Sequence, residues 1–146
     1  GCGRVFEGTN LEMFNSLNKL KNLPSETKVY CGHEYTKNNL DFCLKYDSNN
    51  SLLKERSAKI SSMIKKKSPF LPSTIGEEIK TNIFLRCNNA SVKQALNLVD
   101  FPDQEIFTKL RDLKDTLYLY SWYNIYNVFV FNILYVVNSL LVFNYS

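Results

Sequence analysis

The sequence predicts a mainly α chain of the α+β class, with one short strand near its start. Three observations carry this. Apolar residues recur at helical spacing from Thr36 to Asp115, with short polar or proline-bearing linkers between the runs. The only strand-like run is Val29 to Cys31, just ahead of the single histidine, His33. Charge is confined to one part of the chain: every charged residue lies at or before Asp115, and residues 117–146 carry none.

The elements follow in order. Gly1 to Gly8 reads as a glycine-bearing loop with close backbone packing. Thr9-Asn10-Leu11-Glu12 has the form of a capping box. In it the hydroxyl accepts from an orphan helix amide while the carboxylate reaches back to the cap. Leu11, Phe14, Leu17 and Leu20, with Met13, supply a helical stripe, and Pro24 marks the exit. A short buried strand over Val29–Cys31 then leads through Gly32 to His33, Glu34 and Tyr35 at a strand end, where open sites occur.

Leu40, Cys43 and Leu44 predict a helix from about Thr36 to Tyr46, ended by the turn formers Asp47-Ser48-Asn49-Asn50. Leu52, Leu53, Arg56, Ile60, Met63 and Ile64 describe a longer helix, with Arg56 at the margin of its apolar stripe. Pro69 and Pro72 stiffen the next link. Thr74-Ile75-Gly76-Glu77 is a second capping box, opening a helix to about Thr81. Asn88 to Ser91 turns and caps a helix from about Val92 to Leu98, and Pro102-Asp103 precedes a last helix holding Ile106, Leu110 and Leu113.

Composition narrows the function classes. The net charge of +4, from 18 basic and 14 acidic residues, is a mild excess. Lys65-Lys66-Lys67 is the only basic cluster and reads as a solvated helix end, so no nucleic-acid partner is expected. Cys2, Cys31, Cys43 and Cys87 match no zinc-ribbon or redox spacing, which points to free thiols in a reducing compartment. No apolar N-terminal segment with a basic start is present, so no signal peptide is expected. The uncharged tail, 117–146, admits three readings: a weak membrane anchor, a β-prone aggregating segment, or translated non-coding sequence.

Taken alone, His33 beside a glycine reads as a surface or hydrogen-bonded structural residue rather than a metal ligand. The surrounding motifs reverse that balance. Gly1-Cys2-Gly3-Arg4, Phe6-Glu7-Gly8-Thr9, Val29-Tyr30-Cys31-Gly32-His33-Glu34-Tyr35-Thr36 with Asn38-Asn39-Leu40, and Pro72-Ser73-Thr74 with Glu77-Glu78 occur in this order. Asn82-Ile83-Phe84-Leu85-Arg86 and Arg111-Asp112-Leu113-Lys114-Asp115 follow them. From Gly1 to Asp115 the chain resembles the C-terminal part of glyoxalase II, the hydroxyacylglutathione hydrolases.

The resemblance implies the C-terminal edge of a metallo-β-lactamase fold over residues 1–33. It implies a helical glutathione-substrate-binding domain over 34–116, with 117–146 a tail foreign to the family. It further implies hydrolysis of the S-lactoylglutathione thioester to lactate and glutathione by a metal-bridged hydroxide. Two metal ions would lower the pKa of that water and stabilise the charge developing on oxygen. The ions are zinc, with iron or manganese as alternatives.

Residue by residue, the resemblance makes His33 the last metal-ligand histidine and Tyr35 the tyrosine that hydrogen-bonds glutathione. Arg4 becomes the basic residue that grips it, and Arg111 and Lys114 the basic pair at the glycine carboxylate. The i, i+3 spacing of that pair puts both on one helical face. Phe6 stands where the family often has tyrosine, so a hydroxyl contact to glutathione is lost and weaker binding is expected. For the intact family the resemblance implies a monomer in the cytoplasm, with mitochondrion or plastid as alternatives.

One departure is larger. The family's Thr-X-His-X-His-X-Asp-His motif, a further histidine and a bridging aspartate have no counterpart in a chain with one histidine. One ligand cannot hold two metals when three or four donors per ion are usual. The chain is therefore expected to be a catalytically incomplete C-terminal piece, with apolar surface exposed where a sheet would cover it. The alternative is a non-catalytic helical module that binds glutathione conjugates.

Overall fold

The computed structural model describes residues 2–33 and 35–117. They are mainly helical. In chain order they form α1 (Asn10–Lys21), β1 (Lys28–Val29), α2 (Thr36–Tyr46), α3 (Ser51–Lys65), β2 (Ser73–Thr74), α4 (Ile75–Thr81), a 3₁₀ turn (Ile83–Leu85) and α5 (Ala90–Ala95). Residues 103–117 are helical as well. The chain divides into two compact units, Gly1–Arg111 and Asp112–Ser146. The described part of the second unit is helical throughout. The three readings of the tail fall on residues outside the described ones, apart from Leu117, which is exposed.

Polar side chains start most of these helices. Thr9 accepts from the Glu12 amide at 3.2 Å, and Glu12 Oε2 accepts from the Thr9 amide at 2.7 Å, so the first capping box forms as expected. Asn50 caps α3 through Leu53 N, and Asn89 caps α5 through Ser91 N. Thr74 caps α4 through Glu77 N, while the Glu77 carboxylate extends to Arg56, 3.5 Å from its Nε. α2 differs: Tyr35 occupies its cap position with no side-chain bond to the helix.

The core of the first unit is built on the 3₁₀ turn. Asn82 Oδ1 accepts from Phe84 N at 3.1 Å, which tightens the turn and drives Ile83, Phe84 and Leu85 inward. Phe84 stacks on Phe42 of α2 (centroids 5.7 Å, 9° between planes) and meets Phe107 edge-on at 5.6 Å. Leu40, Leu53, Ile60, Val92, Ile106 and Leu110 are buried as well.

Polar networks tie the elements together. Arg56 Nη2 donates to Glu78 Oε1 and Nη1 to Thr81 Oγ1, both at 2.6 Å, and Ser73 Oγ donates to Glu78 Oε1 at 2.7 Å. Asp47 accepts from Arg86 Nε at 2.9 Å, from Asn50 Nδ2 at 2.8 Å and from Ser91 Oγ at 3.2 Å. Gly76 lets α4 approach the chain ahead of β1: its amide donates to Ser25 O at 2.8 Å, and a Cβ there would lie 3.1 Å from Ser25 atoms.

Three expectations are corrected. The strand is Lys28–Val29, not Val29–Cys31, and is not buried. Its described partner is the two-residue β2 (Lys28↔Thr74, Val29↔Ser73), too little sheet to cover it, so Tyr30 and Cys31 are exposed. α5 starts at Ala90 and ends at Ala95, because the cap is Asn89 and Asn97 adopts a left-handed φ of 58°. Arg56 is buried, not marginal, because Glu78 and Thr81 supply partners inside. The 3₁₀ turn was not expected at all.

α1 contains no buried residue, despite its apolar stripe. Leu11 and Leu20 are exposed, as are Leu23, Tyr30 and Phe6 beyond it.

Candidate functional site

The six residues singled out by the sequence lie in three places. His33 and Tyr35 sit in the turn between β1 and α2. Their rings are stacked, centroids 5.5 Å apart and 3° from parallel. The Tyr35 amide donates to His33 O at 3.1 Å, and Tyr35 O accepts from Asn39 N at 2.9 Å, so the start of α2 fixes the turn. Both rings face solvent, Tyr35 at 54% exposure. Tyr30, exposed two residues after β1 begins, lies on the same short stretch of chain.

Arg4 and Phe6 occupy the N-terminal loop. The Arg4 guanidinium lies over the Phe6 ring, 5.9 Å from its centroid. Phe6 is 86% exposed, an open aromatic surface without the hydroxyl a tyrosine would offer.

Arg111 is placed differently. It is 1% exposed, its Nη1 donates to Cys2 O and Gly3 O at 2.9 Å each, and its guanidinium stands 5.1 Å from the Phe84 ring centroid. Lys114, in the second unit, is 3% exposed. From the resemblance, the sequence placed both on one helical face as the basic pair at the glycine carboxylate; both are buried. Nothing in the i, i+3 spacing signals burial, which depends on residues far away in sequence.

The described residues around His33 do not make up a two-metal centre. Among the described residues no group of three or more histidine, cysteine, aspartate and glutamate side chains is placed to hold a metal ion. No helix among them is long and apolar enough to cross a membrane.

Sequence reasoning missed two features. One is the Arg56–Glu78 network, whose signal was present as an arginine inside an apolar stripe. The other is a groove of about 470 Å³ between α3, α4 and the Ser25–Glu26 turn, lined in part by Glu55, Arg56, Lys59 and Glu77. None of the six site residues lines it.

Electrostatics separate two of the buried titratable groups, Glu78 and Cys87. Burial alone would raise the Glu78 carboxyl. Nearby positive charge, Arg56 included, and donors from Arg56 and Ser73 outweigh it and hold the group at about 2. Burial, with the Asp103 charge adding to it, pushes the Cys87 thiol up to about 12.

Over 115 residues, 79% of its length, the chain is 48% identical to the hydroxyacylglutathione hydrolase of Bartonella tribocorum. Over the same length it is 50% identical to that of Brucella anthropi and 49% to that of Brucella ovis. It spans less than half of these relatives, between 44% and 46% of each. The helical part, residues 34–117, matches the family model described as the hydroxyacylglutathione hydrolase C-terminus, and the chain belongs to that family.

Proposed function

We propose that this chain supplies the glutathione-binding part of a hydroxyacylglutathione hydrolase, an enzyme that hydrolyses the S-lactoylglutathione thioester. The observation that carries the reading is the family match over residues 34–117, joined to Arg4–Phe6 and His33–Tyr35 as two solvent-facing pairs. In this reading residues 1–33 are the edge of a metallo-β-lactamase domain and 34–116 the substrate-binding helices. Residues 117–146 stand outside both.

The chemistry assigned to this chain is recognition. Arg4 offers a planar fork of donors to a carboxylate. The Tyr35 hydroxyl donates to, or accepts from, the peptide groups of glutathione. Phe6 packs against the tripeptide and makes no hydroxyl contact. Arg111 and Lys114 are the basic residues that the resemblance brings to the glycine carboxylate. His33 is the one imidazole available as a metal ligand, and the hydroxide chemistry is assigned to donors outside this sequence. A small-molecule thiol conjugate is thus the partner proposed, with a monomer in the cytoplasm, or in mitochondrion or plastid.

Calorimetric titration of glutathione and S-lactoylglutathione into the 146-residue chain tests this. Saturable binding is expected, weakened about tenfold by Arg4→Ala, the scale of one lost charge-assisted contact. Absence of binding at millimolar ligand overturns the proposal.

The single histidine favours a second reading, a module that binds glutathione conjugates without hydrolysing them. Thioester hydrolysis by the chain alone with added zinc, lost on His33→Ala, would exclude it.

A further inference from the structure

We propose that the solvent-facing side of α3, with the two lysines that follow it, docks on an anionic lipid surface. The proposal stands apart from the glutathione reading and uses none of its residues.

Charge is unevenly placed in this chain. Residues 51–67 hold Lys54, Lys59, Lys65, Lys66 and Lys67, all exposed, against a single acid, Glu55. Arg56, the other basic residue of the stretch, is turned inward and cancelled by Glu78 at 2.6 Å. The remaining basic and acidic residues of the chain are equal in number, so its whole net charge of +4 resides on this one surface.

The fold leaves that charge unused. Lys37 and Lys93 are ion-paired with Asp41 and Asp103, and Lys21 donates to Leu85 O. Among the described residues, none of the five lysines on this surface has a partner of that kind. The helix dipole accounts for lysines at a helix C-terminus, and so for Lys65 and its two successors. It does not account for Lys54, near the start of α3, or Lys59, near its middle. Positions 54, 58, 62 and 65 follow the i, i+4, i+3 rule and share one face, with 59 and 66 beside it. The buried Leu53, Arg56 and Ile60 take the opposite side. At 1.5 Å per residue, Lys54 to Lys66 covers about 18 Å of helix.

The make-up of the stripe selects the partner. Lysine is a compact, hydrated point charge, suited to a diffuse field of phosphates more than to fixed bidentate contacts. α3 has no aromatic residue on which a base could stack, and its arginine is buried, which disfavours nucleic acid. Its exposed large apolar side chains are Leu52 and Ile64, enough for a shallow contact at the headgroups. The same chain carries residues 117–146, an apolar stretch without a charge. A lipid surface suits both features, because firm attachment takes two signals that are each weak alone.

Co-sedimentation of the 146-residue chain with vesicles tests this. Binding to phosphatidylcholine vesicles that contain phosphatidylserine is expected to be at least about tenfold tighter than to phosphatidylcholine alone. It should weaken as salt rises from about 0.1 M to about 1 M and the screening length falls from about 10 Å to about 3 Å. At about fivefold per lysine, Lys65→Gln, Lys66→Gln and Lys67→Gln together should weaken binding about a hundredfold, and Lys54→Gln with Lys59→Gln about twentyfold. Glutamine keeps the helix propensity, so the circular dichroism should not change. Lys19→Gln, Lys28→Gln and Lys109→Gln remove the same charge from exposed lysines elsewhere and should cost less than about threefold.

Equal affinity for the two kinds of vesicle would overturn the proposal, since an apolar contact alone would then explain attachment. An equal loss in the Lys19, Lys28 and Lys109 variant would also overturn it, because net charge and not this surface would be acting. So would absence of binding to the phosphatidylserine vesicles. If the chain then bound duplex DNA or RNA, and lost it in the Lys65–Lys67 variant, the stripe would belong to nucleic acid instead.

Discussion

Arg56 of α3 and Glu78 of α4 are joined by a 2.6 Å hydrogen-bonded ion pair, with each side chain less than a tenth exposed. Thr81 and Ser73 donate or accept around it, so the pair links two helices and β2 through one buried charge site. Removing one partner strands the other. Glu78→Ala is expected to destabilise the chain by about 3–5 kcal/mol, and Arg56→Met combined with Glu78→Leu by distinctly less. Urea unfolding midpoints of the single and double variants check this. A double variant as unstable as the sum of the singles would contradict it.

The same carboxylate sets an acid limit on stability. Its folded-state value, about 2, lies below the ordinary 4.5, so the folded state binds its proton less readily than the unfolded state. The stabilisation is complete above about pH 4.5 and is lost as pH falls toward 2, amounting to roughly 3 kcal/mol. Urea midpoints between pH 6 and 2.5 should fall for the wild type and change much less for Glu78→Gln. Parallel slopes for the two proteins would assign the acid sensitivity elsewhere.

Thiol labelling should resolve the four cysteines into one fast and three slow. Cys31 is exposed, whereas Cys2, Cys43 and Cys87 are buried. Burial also keeps Cys87 protonated far above neutral pH, and the thiol is a poor nucleophile beside the thiolate. At pH 8 an alkylating reagent should modify Cys31 alone until denaturant is added, as peptide mass mapping would show.

α1 has no buried residue, so its termini matter more than its packing. Thr9→Ala removes the hydroxyl that accepts from Glu12 N and should cost about 1 kcal/mol. Amide exchange should rise across Asn10–Lys21 and leave α3 unchanged. Equal loss of protection in both helices would show that α1 is bound into the core more tightly than its exposure indicates.

Much of the fold was legible in the sequence because its signals are local. Thr9 with Glu12, and Thr74 ahead of α4, mark helix starts by bonds that span three residues. The bounds of α2 followed from Leu40, Cys43 and the Asp47–Asn50 turn. His33 and Tyr35, two residues apart in one turn, form a ring stack that the sequence did not announce. β1 was misjudged because a strand's burial depends on what lies beside it, and its described partner is two residues long.

By itself the sequence determined a helical chain, its caps, its linkers and the positions that resemble a glutathione site. The helices, caps and linkers rest on periodicity and on bonds between near neighbours, which the order of residues contains directly, and the site positions rest on the resemblance to a family. The tertiary structure alone decided that Arg56 is buried against Glu78, that Phe84 centres the core, and that Arg111 grips the carbonyls of Cys2 and Gly3. The last of these contacts joins residues up to 109 positions apart. Side-chain burial is a property of the neighbours that folding brings in, and no local spacing carries it.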